Sequence, residues 1–125
     1  MMRPPLQMER MKTRADFLRA QKGRRFNTAG IGLEICVSPE AAAKDGCLRV
    51  GFTASVKVGN AVARNRAKRR LREVARAILP LSGEPGHDYV LIARAVTVTR
   101  PFAALLDDLS KALAALKRPE GKRNG

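Results

Sequence analysis

The sequence predicts an α+β protein: an αβββαβα sandwich, in which helices pack on one four-stranded mixed sheet. Three observations carry that expectation. Residues 31–37 and 47–55 alternate apolar with small or polar side chains, the period of half-buried strands, and residues 89–95 form an almost continuous apolar run that suits a central strand. Residues 61–79 repeat instead at the helical period. Near the end of the chain, Leu105, Leu106, Leu109, Ala112, Leu113 and Leu116 make the packing stripe of a last helix. A length of 125 residues suits one domain with one modest core.

Residues 1–12 carry Pro4 and Pro5 and no clear period, so they read as a loose N-terminal arm. Thr13 offers an N-cap, with Asp16 three residues on as its capping-box partner. A helix over 14–22 follows and Gly23 stops it. Phe17 lies off the apolar side of that helix, and the residues alone leave it either a core aromatic or an exposed ring. Lys22, Arg24 and Arg25 form a basic cluster, and residues 24–27 read as a short strand. The next strand sets Ile31, Leu33, Ile35 and Val37 against Gly32, Glu34 and Cys36. After a polar loop with Pro39 and an Asp45-Gly46 turn, the third sets Leu48, Val50, Phe52 and Ala54 against Arg49, Gly51, Thr53 and Ser55. One face of this sheet needs a helical cover. The other, small and hydroxyl-rich, lets a nucleic-acid strand approach the backbone. Gly59 permits a positive-φ turn and Asn60 caps the helix that follows. Pro80, Gly83, Pro85 and Gly86 make a breaker-rich loop after Leu79. His87 has no partner there for catalysis and reads as a loop residue. Pro101 suits the first turn of the last helix. Residues 118–125 read as a disordered basic tail, leaving 13–117 as the single domain.

The charge bounds the partner. A net +14 and a pI near 11.2 call for nucleic acid or an anionic membrane surface. No apolar run approaches the roughly 18–20 residues of a membrane span, and the first residues lack the apolar core of a signal peptide, so the expected compartment is the cytoplasm and no membrane partner is expected. Cys36 and Cys47 lack a CxxC spacing and read as buried free thiols. No paired carboxylates, nucleophile with a base, phosphate-cradling glycine loop or metal-ligand cluster is legible, so neither catalytic nor metal-binding residues are expected, nor a small-molecule substrate. Aromatics, at 4%, are too few for a binder that stacks on every base.

The basic stretch 57–79 is the most informative. Between Lys57 and Arg76 it holds eight basic residues and one acid, Glu73. As a helix from about Ala61 it gathers Ala67, Leu71, Val74, Ala75 and Ile78 on an arc of roughly 100°. Arg66, Lys68, Arg69, Arg70, Arg72 and Arg76 cover the rest, with Arg64 at the edge of the apolar arc. A merely solvated helix interleaves both signs for i,i+4 support, and this one hardly does. Such crowding is relieved by a polyanion.

The string Gly59-Asn60-Ala61-Val62-Ala63-Arg64-Asn65-Arg66-Ala67-Lys68-Arg69-Arg70-Leu71-Arg72-Glu73 resembles the signature of the protein subunit of bacterial ribonuclease P, whose core is the Arg64-Asn65-Arg66 triplet followed by Lys68 and Arg69. The rest of the chain fits from about Thr13 to Leu116. The resemblance implies an RNA-binding domain with a rare left-handed crossover around the basic helix. It implies catalytic groups and Mg²⁺ on an RNA subunit, and two partners, that RNA and precursor tRNA. By position, Arg64, Arg66, Arg69 and Arg70 are implied to contact the RNA subunit. Asn65, Lys68 and Arg72, with Phe17, Thr53, Ser55 and Lys57, are implied to line a cleft for the single-stranded 5′ leader of precursor tRNA, Phe17 as a stacking face. Two departures from the family pattern fall in that cleft. Val56 stands where many members have a first lysine before Lys57, and Ala20 and Gln21 stand where many carry a second aromatic. The residues alone also admit a general RNA-binding or ribosome-associated protein, or a DNA-binding module. The first has no need of this Arg-Asn-Arg register. The second needs a helix-turn-helix partner, whereas the loop after Leu79 leads to a strand.

Overall fold

The computed structural model describes residues 4–117. Its elements run β1 (Gln7–Arg10), α1 (Arg14–Gln21), β2 (Arg24–Asn27), β3 (Ile31–Val37), a short α2 (Pro39–Ala42), β4 (Cys47–Thr53), α3 (Ala61–Ser82), β5 (His87–Ala93) and α4 (Phe102–Leu116). Single 3-10 turns, Val56–Val58 and Ala95–Val98, precede α3 and follow β5. The sheet order is β1-β4-β5-β3-β2. β4 is parallel to both β1 and β5, while β3 is antiparallel to β5 and β2, so the sheet is mixed and the class is α+β as the periodicity predicts.

The sheet has five strands rather than four. Residues 7–10, inside the stretch read as a loose arm, pair with β4, and Leu6 and Met11 on either side are buried. Three backbone bonds fix the segment: Leu6 N–H to Pro80 O, Gln7 N–H to Gly46 O and Met11 N–H to Val50 O, at 2.8, 2.8 and 2.9 Å. The physical reason is the alternation of Leu6 and Met8 toward the core, too short to register as a period. The residues read as a basic tail, 118–125, lie outside the described residues.

Other boundaries shift by small amounts. α3 runs three residues past Leu79, through Pro80, which forfeits one i→i−4 bond near the helix end, and Gly83 N–H closes the last turn on Leu79 O at 2.8 Å. β4 ends at Thr53, and Ser55 starts the 3-10 turn, its Oγ accepting from Lys57 N–H at 3.3 Å. β5 begins at His87, and Ala95 belongs to the following 3-10 turn. α1 ends at Gln21, and Pro101 is the N-cap of α4 rather than a first-turn residue. The polar loop after β3 contains the single turn α2, capped by Ser38 Oγ on Ala41 N–H at 3.1 Å.

The main core lies between one face of the sheet and the pair α3–α4. Ile31, Leu33, Leu48, Val50, Tyr89 and Leu91 meet Ala67, Leu71, Val74, Ala75 and Leu79 of α3 and Leu105, Leu109 and Ala112 of α4. On α3 this is the predicted arc, with Leu79 fully buried and Ile78 only partly so. The opposite face carries a smaller cluster under α1, where Ala20 and Phe17 pack with Met11, Val90, Ile92 and Cys36. Thr13 caps α1 as its sequence predicts: Oγ1 accepts from Asp16 N–H at 3.2 Å while Asp16 Oδ2 accepts from Thr13 N–H at 3.2 Å. Both cysteines are free thiols; Cys47 is buried and Cys36 half-buried.

Candidate nucleic-acid interface

The turn into α3 is set by local geometry. Gly59 has φ 145°, and a Cβ there would lie 2.9 Å from the Ala63 methyl, so the position suits only glycine. Asn60 then caps the helix, its Oδ1 accepting from Ala63 N–H at 2.9 Å. The first turn contains no acid to complement the helix dipole. Instead Lys57, Arg64 and Arg66 cluster at this positive end, which raises the local potential further.

The four arginines assigned to the RNA subunit divide by their contacts. Arg66 and Arg69 are exposed and make no hydrogen bond or ion pair within the described residues. Arg64 is half-buried and donates from Nη1 to Gly59 O at 3.0 Å, bracing the turn. Arg70 is half-buried and donates from Nη1 to Thr97 O at 2.7 Å and Val98 O at 3.1 Å, tying α3 to the 3-10 turn after β5. Among the described residues the helix carries one ion pair, Arg76–Glu73 at 3.1 Å. Asn65 is exposed, Lys68 and Arg72 are half-buried, and Lys57 and Ser55 are exposed in the junction. The second basic cluster is largely spent inside the fold: Arg25 pairs with Glu34, and Arg24 donates to the Leu116 carbonyl at the end of α4.

The residues assigned to the leader come from both sides of the sheet. Phe17 and Thr53 lie on the sheet face that α1 partly covers, whereas Asn65, Lys68 and Arg72 stand on α3, packed against the other face. Ser55 and Lys57 lie in the 3-10 junction between β4 and α3. Phe17 is half-buried, and its ring seats on the bare backbone of Gly51, with Cε1 2.5 Å from where a Cβ would be. Part of the ring packs in the small cluster and part faces solvent, so both readings of Phe17 from sequence are half realised.

Two positioning groups escape a linear reading. Arg49, on the small-residue face of β4, is buried: Nε and Nη2 donate to Asp88 at 2.9 and 2.8 Å, and Nη2 lies 3.0 Å from Asp16 Oδ1. Arg19 also pairs with Asp16 at 3.0 Å. This network locks α1, and therefore Phe17, onto the sheet. Burial raises the Asp16 pKa, but the hydrogen bonds from Arg49 and from the Thr13 and Lys12 region outweigh it and hold the carboxyl at about 2. The second group is Gly51, the seat of Phe17. Neither carries a pattern that sequence could show, because both depend on contacts between strands and α1.

A helix whose exposed side carries arginines unpaired among the described residues and an opposite sheet face with a half-exposed aromatic define a nucleic-acid-binding protein. The Ribonuclease P family profile matches residues 6–117. The chain is 54% identical over 111 residues to the ribonuclease P protein component of Ruegeria pomeroyi, covering 88% of this chain and 87% of that one. It is 49% identical to the ribonuclease P protein component of Caulobacter vibrioides, over 89% of this chain and 72% of the relative. Among solved structures, the RNase P protein of Staphylococcus aureus superposes with a TM-score of 0.69 at 29% identity, over 86% of this chain and 94% of that one. The RNase P protein of Thermotoga maritima shares the fold, with a TM-score of 0.70 at 23% identity over 88% and 99% of the two chains. The chain belongs to the ribonuclease P protein family.

Proposed function

We infer that this chain is the protein component of a ribonuclease P ribonucleoprotein, which removes the 5′ leader of precursor tRNA. In this reading α3 binds the catalytic RNA subunit, and the α1-bearing sheet face with the β4–α3 junction binds the single-stranded leader. The observation that carries it is the pair Arg66 and Arg69: two exposed guanidinium groups without a hydrogen bond or ion pair among the described residues, at the dipole-positive half of a helix crowded with like charge. Guanidinium forks bind phosphate bidentately, and a polyanion removes the repulsion that the free protein bears.

The chemistry is assigned to the RNA and the Mg²⁺ ions it holds. In support, the buried carboxylates are already engaged: Asp16 and Asp88 by Arg49, Glu34 by Arg25 and Asp108 by Arg100. What the protein adds is differential binding. Leader contacts exist for precursor and not for the mature product, so they favour substrate over product, while positive charge lowers the repulsion between two RNAs. A cytoplasmic location accords with this role, and no helix among the described residues is long and apolar enough to cross a membrane.

The test is cleavage of precursor tRNA by protein alone, RNA subunit alone and the two together. The expected result is no cleavage by RNA-free protein, and faster cleavage at the correct 5′ site by the pair at low Mg²⁺ than by RNA alone. Correct cleavage by protein stripped of RNA would overturn the assignment of roles.

A further inference from the structure

On the α1 side of the sheet the strand register sets residues in rows. Arg49, Asp88 and Cys36 make the first row, under α1. Gly51, Val90, Glu34 and Arg25 make the second, closed by the Phe17 ring at one end and the Arg25–Glu34 ion pair at the other. Thr53, Ile92, Gly32 and Asn27 make the third. The third row is the more open one: Thr53 and Ile92 are half-buried and Asn27 is exposed above a buried Gly32, whereas Gly51, Val90 and Glu34 of the row before are buried and only Arg25 at its end is exposed. At about 4.8 Å per strand, it is a floor on the order of 14 Å long.

Gly32 makes that floor low, and Asn27 lies across it. The Asn27 Oδ1 is 2.8 Å from where a Cβ on Gly32 would stand, so the amide folds inward over the sheet. It makes no hydrogen bond within the described residues. Its neighbour Arg25, the nearest cation on that strand face, is taken up by Glu34. On β2 this face therefore offers a donor and an acceptor side by side, next to a cation that Glu34 already neutralises, which suits the edge of a base better than a phosphate.

We propose that Asn27 is a sequence-reading residue. Its side-chain amide, laid over Gly32, hydrogen-bonds the edge of one unstacked base of a single RNA strand lying along the row from Thr53 to Asn27. The proposal rests on the reading of this face as the leader surface and adds a source of base preference to it. An amide meets a base edge bidentately when donor and acceptor are adjacent, and single-stranded RNA is read on such edges.

The experiment uses the reconstituted holoenzyme and a pool of precursor tRNAs randomised through the leader, with the base preference at each position read by sequencing the bound fraction. Wild type is expected to show a preference of roughly fivefold or more at one position. Asn27→Ala should flatten that position and leave the others. Gly32→Ala, whose methyl would displace the amide while keeping Asn27, should flatten the same position. Asn27→Asp, which loses the donor, should change the preferred base. Affinity for mature tRNA should be unchanged in all three, which reports that the fold and the RNA-subunit contacts are intact. A profile unaltered in Asn27→Ala, with precursor still preferred over mature tRNA, overturns this inference alone. A wild-type holoenzyme that does not distinguish precursor from mature tRNA overturns it together with the leader-surface reading.

Discussion

Arg49 lies along the Asp88 carboxylate, Nε to Oδ1 at 2.9 Å and Nη2 to Oδ2 at 2.8 Å, with both groups buried between parallel neighbours β4 and β5. The same guanidinium reaches Asp16 of α1, so one side chain joins two central strands to the helix that carries Phe17. Removing one partner of a buried charge cluster strands the others, and Arg49→Met should destabilise the protein by about 3–5 kcal/mol. Urea unfolding followed by circular dichroism measures the loss.

Asp16 makes the same network sensitive to acid. Its folded pKa of about 2 lies below the ordinary carboxylate value of 3.8, so its contribution to stability is fully present above that ordinary value and disappears as pH falls through about 2. The contribution is roughly 2 kcal/mol. Asp16→Asn should be less stable than wild type at pH 6 by about that amount, and the gap should narrow as pH falls from about 4 to 2. A gap that stays constant over that range would assign the acid response to other groups.

Phe17 and Gly51 should behave as a pair. With no second aromatic one turn on, stacking belongs at the low end of its range, about 1–1.4 kcal/mol, so Phe17→Ala should weaken holoenzyme binding of precursor tRNA by roughly five- to tenfold. Mature tRNA should be bound as before. Gly51→Ala puts a methyl where the ring now sits and should give a loss of similar size with the phenyl group still present. Equal weakening of precursor and mature tRNA in either variant would remove Phe17 from the leader surface.

Arg69 and Arg70, adjacent in sequence, should separate into an RNA-contact role and a scaffolding role. Arg69→Ala should leave stability within about 0.5 kcal/mol, since the side chain is exposed and makes no hydrogen bond or ion pair within the described residues. The log–log salt slope for RNA-subunit binding should become shallower by roughly 0.7–0.9. Arg70→Ala loses the bonds to Thr97 and Val98 carbonyls and should cost about 1–3 kcal/mol of stability. Its effect on the salt slope reports whether the remaining nitrogens also reach phosphate. Denaturant melts and filter binding across a salt series measure both variants.

Leu6→Ala tests the segment before α1. Leu6 is 8% exposed and packs in the main core, so truncation should destabilise by about 2–3 kcal/mol. An indifferent response would mean that β1 frays from β4 in solution.

Features with a local cause were legible in the sequence. The Thr13–Asp16 capping box needs only four residues, the arc from Ala67 to Ala75 only helical spacing, and the Gly59-Asn60 entry only one turn. Features made by distant partners were not. β1 pairs with β4 across a gap of some forty residues and offers only Leu6 and Met8 as a pattern, so the arm concealed a strand. Arg49 alternates correctly as a residue of the small-side-chain face, yet nothing near it announces Asp88 or Asp16. The Arg-Asn-Arg register identified the family, but not that α3, which carries Asn65, Lys68 and Arg72, packs on one sheet face while Phe17 packs on the other.

The order of the strands has a consequence for how the chain is made. Among the described residues β1 pairs only with β4, and β2 only with β3; β5 joins the two ribbons and follows all the other strands. A nascent chain emerging N-terminus first therefore cannot close its sheet until about residue 93 has left the ribosome. Until then α3 has been synthesised with its apolar arc short of the Tyr89 and Leu91 surface it packs on, and two isolated ribbons of this kind are marginal in water. The strongly basic helix thus meets the RNA-rich surroundings of translation before its own core exists, and completion of β5 is the step that commits it to the native packing.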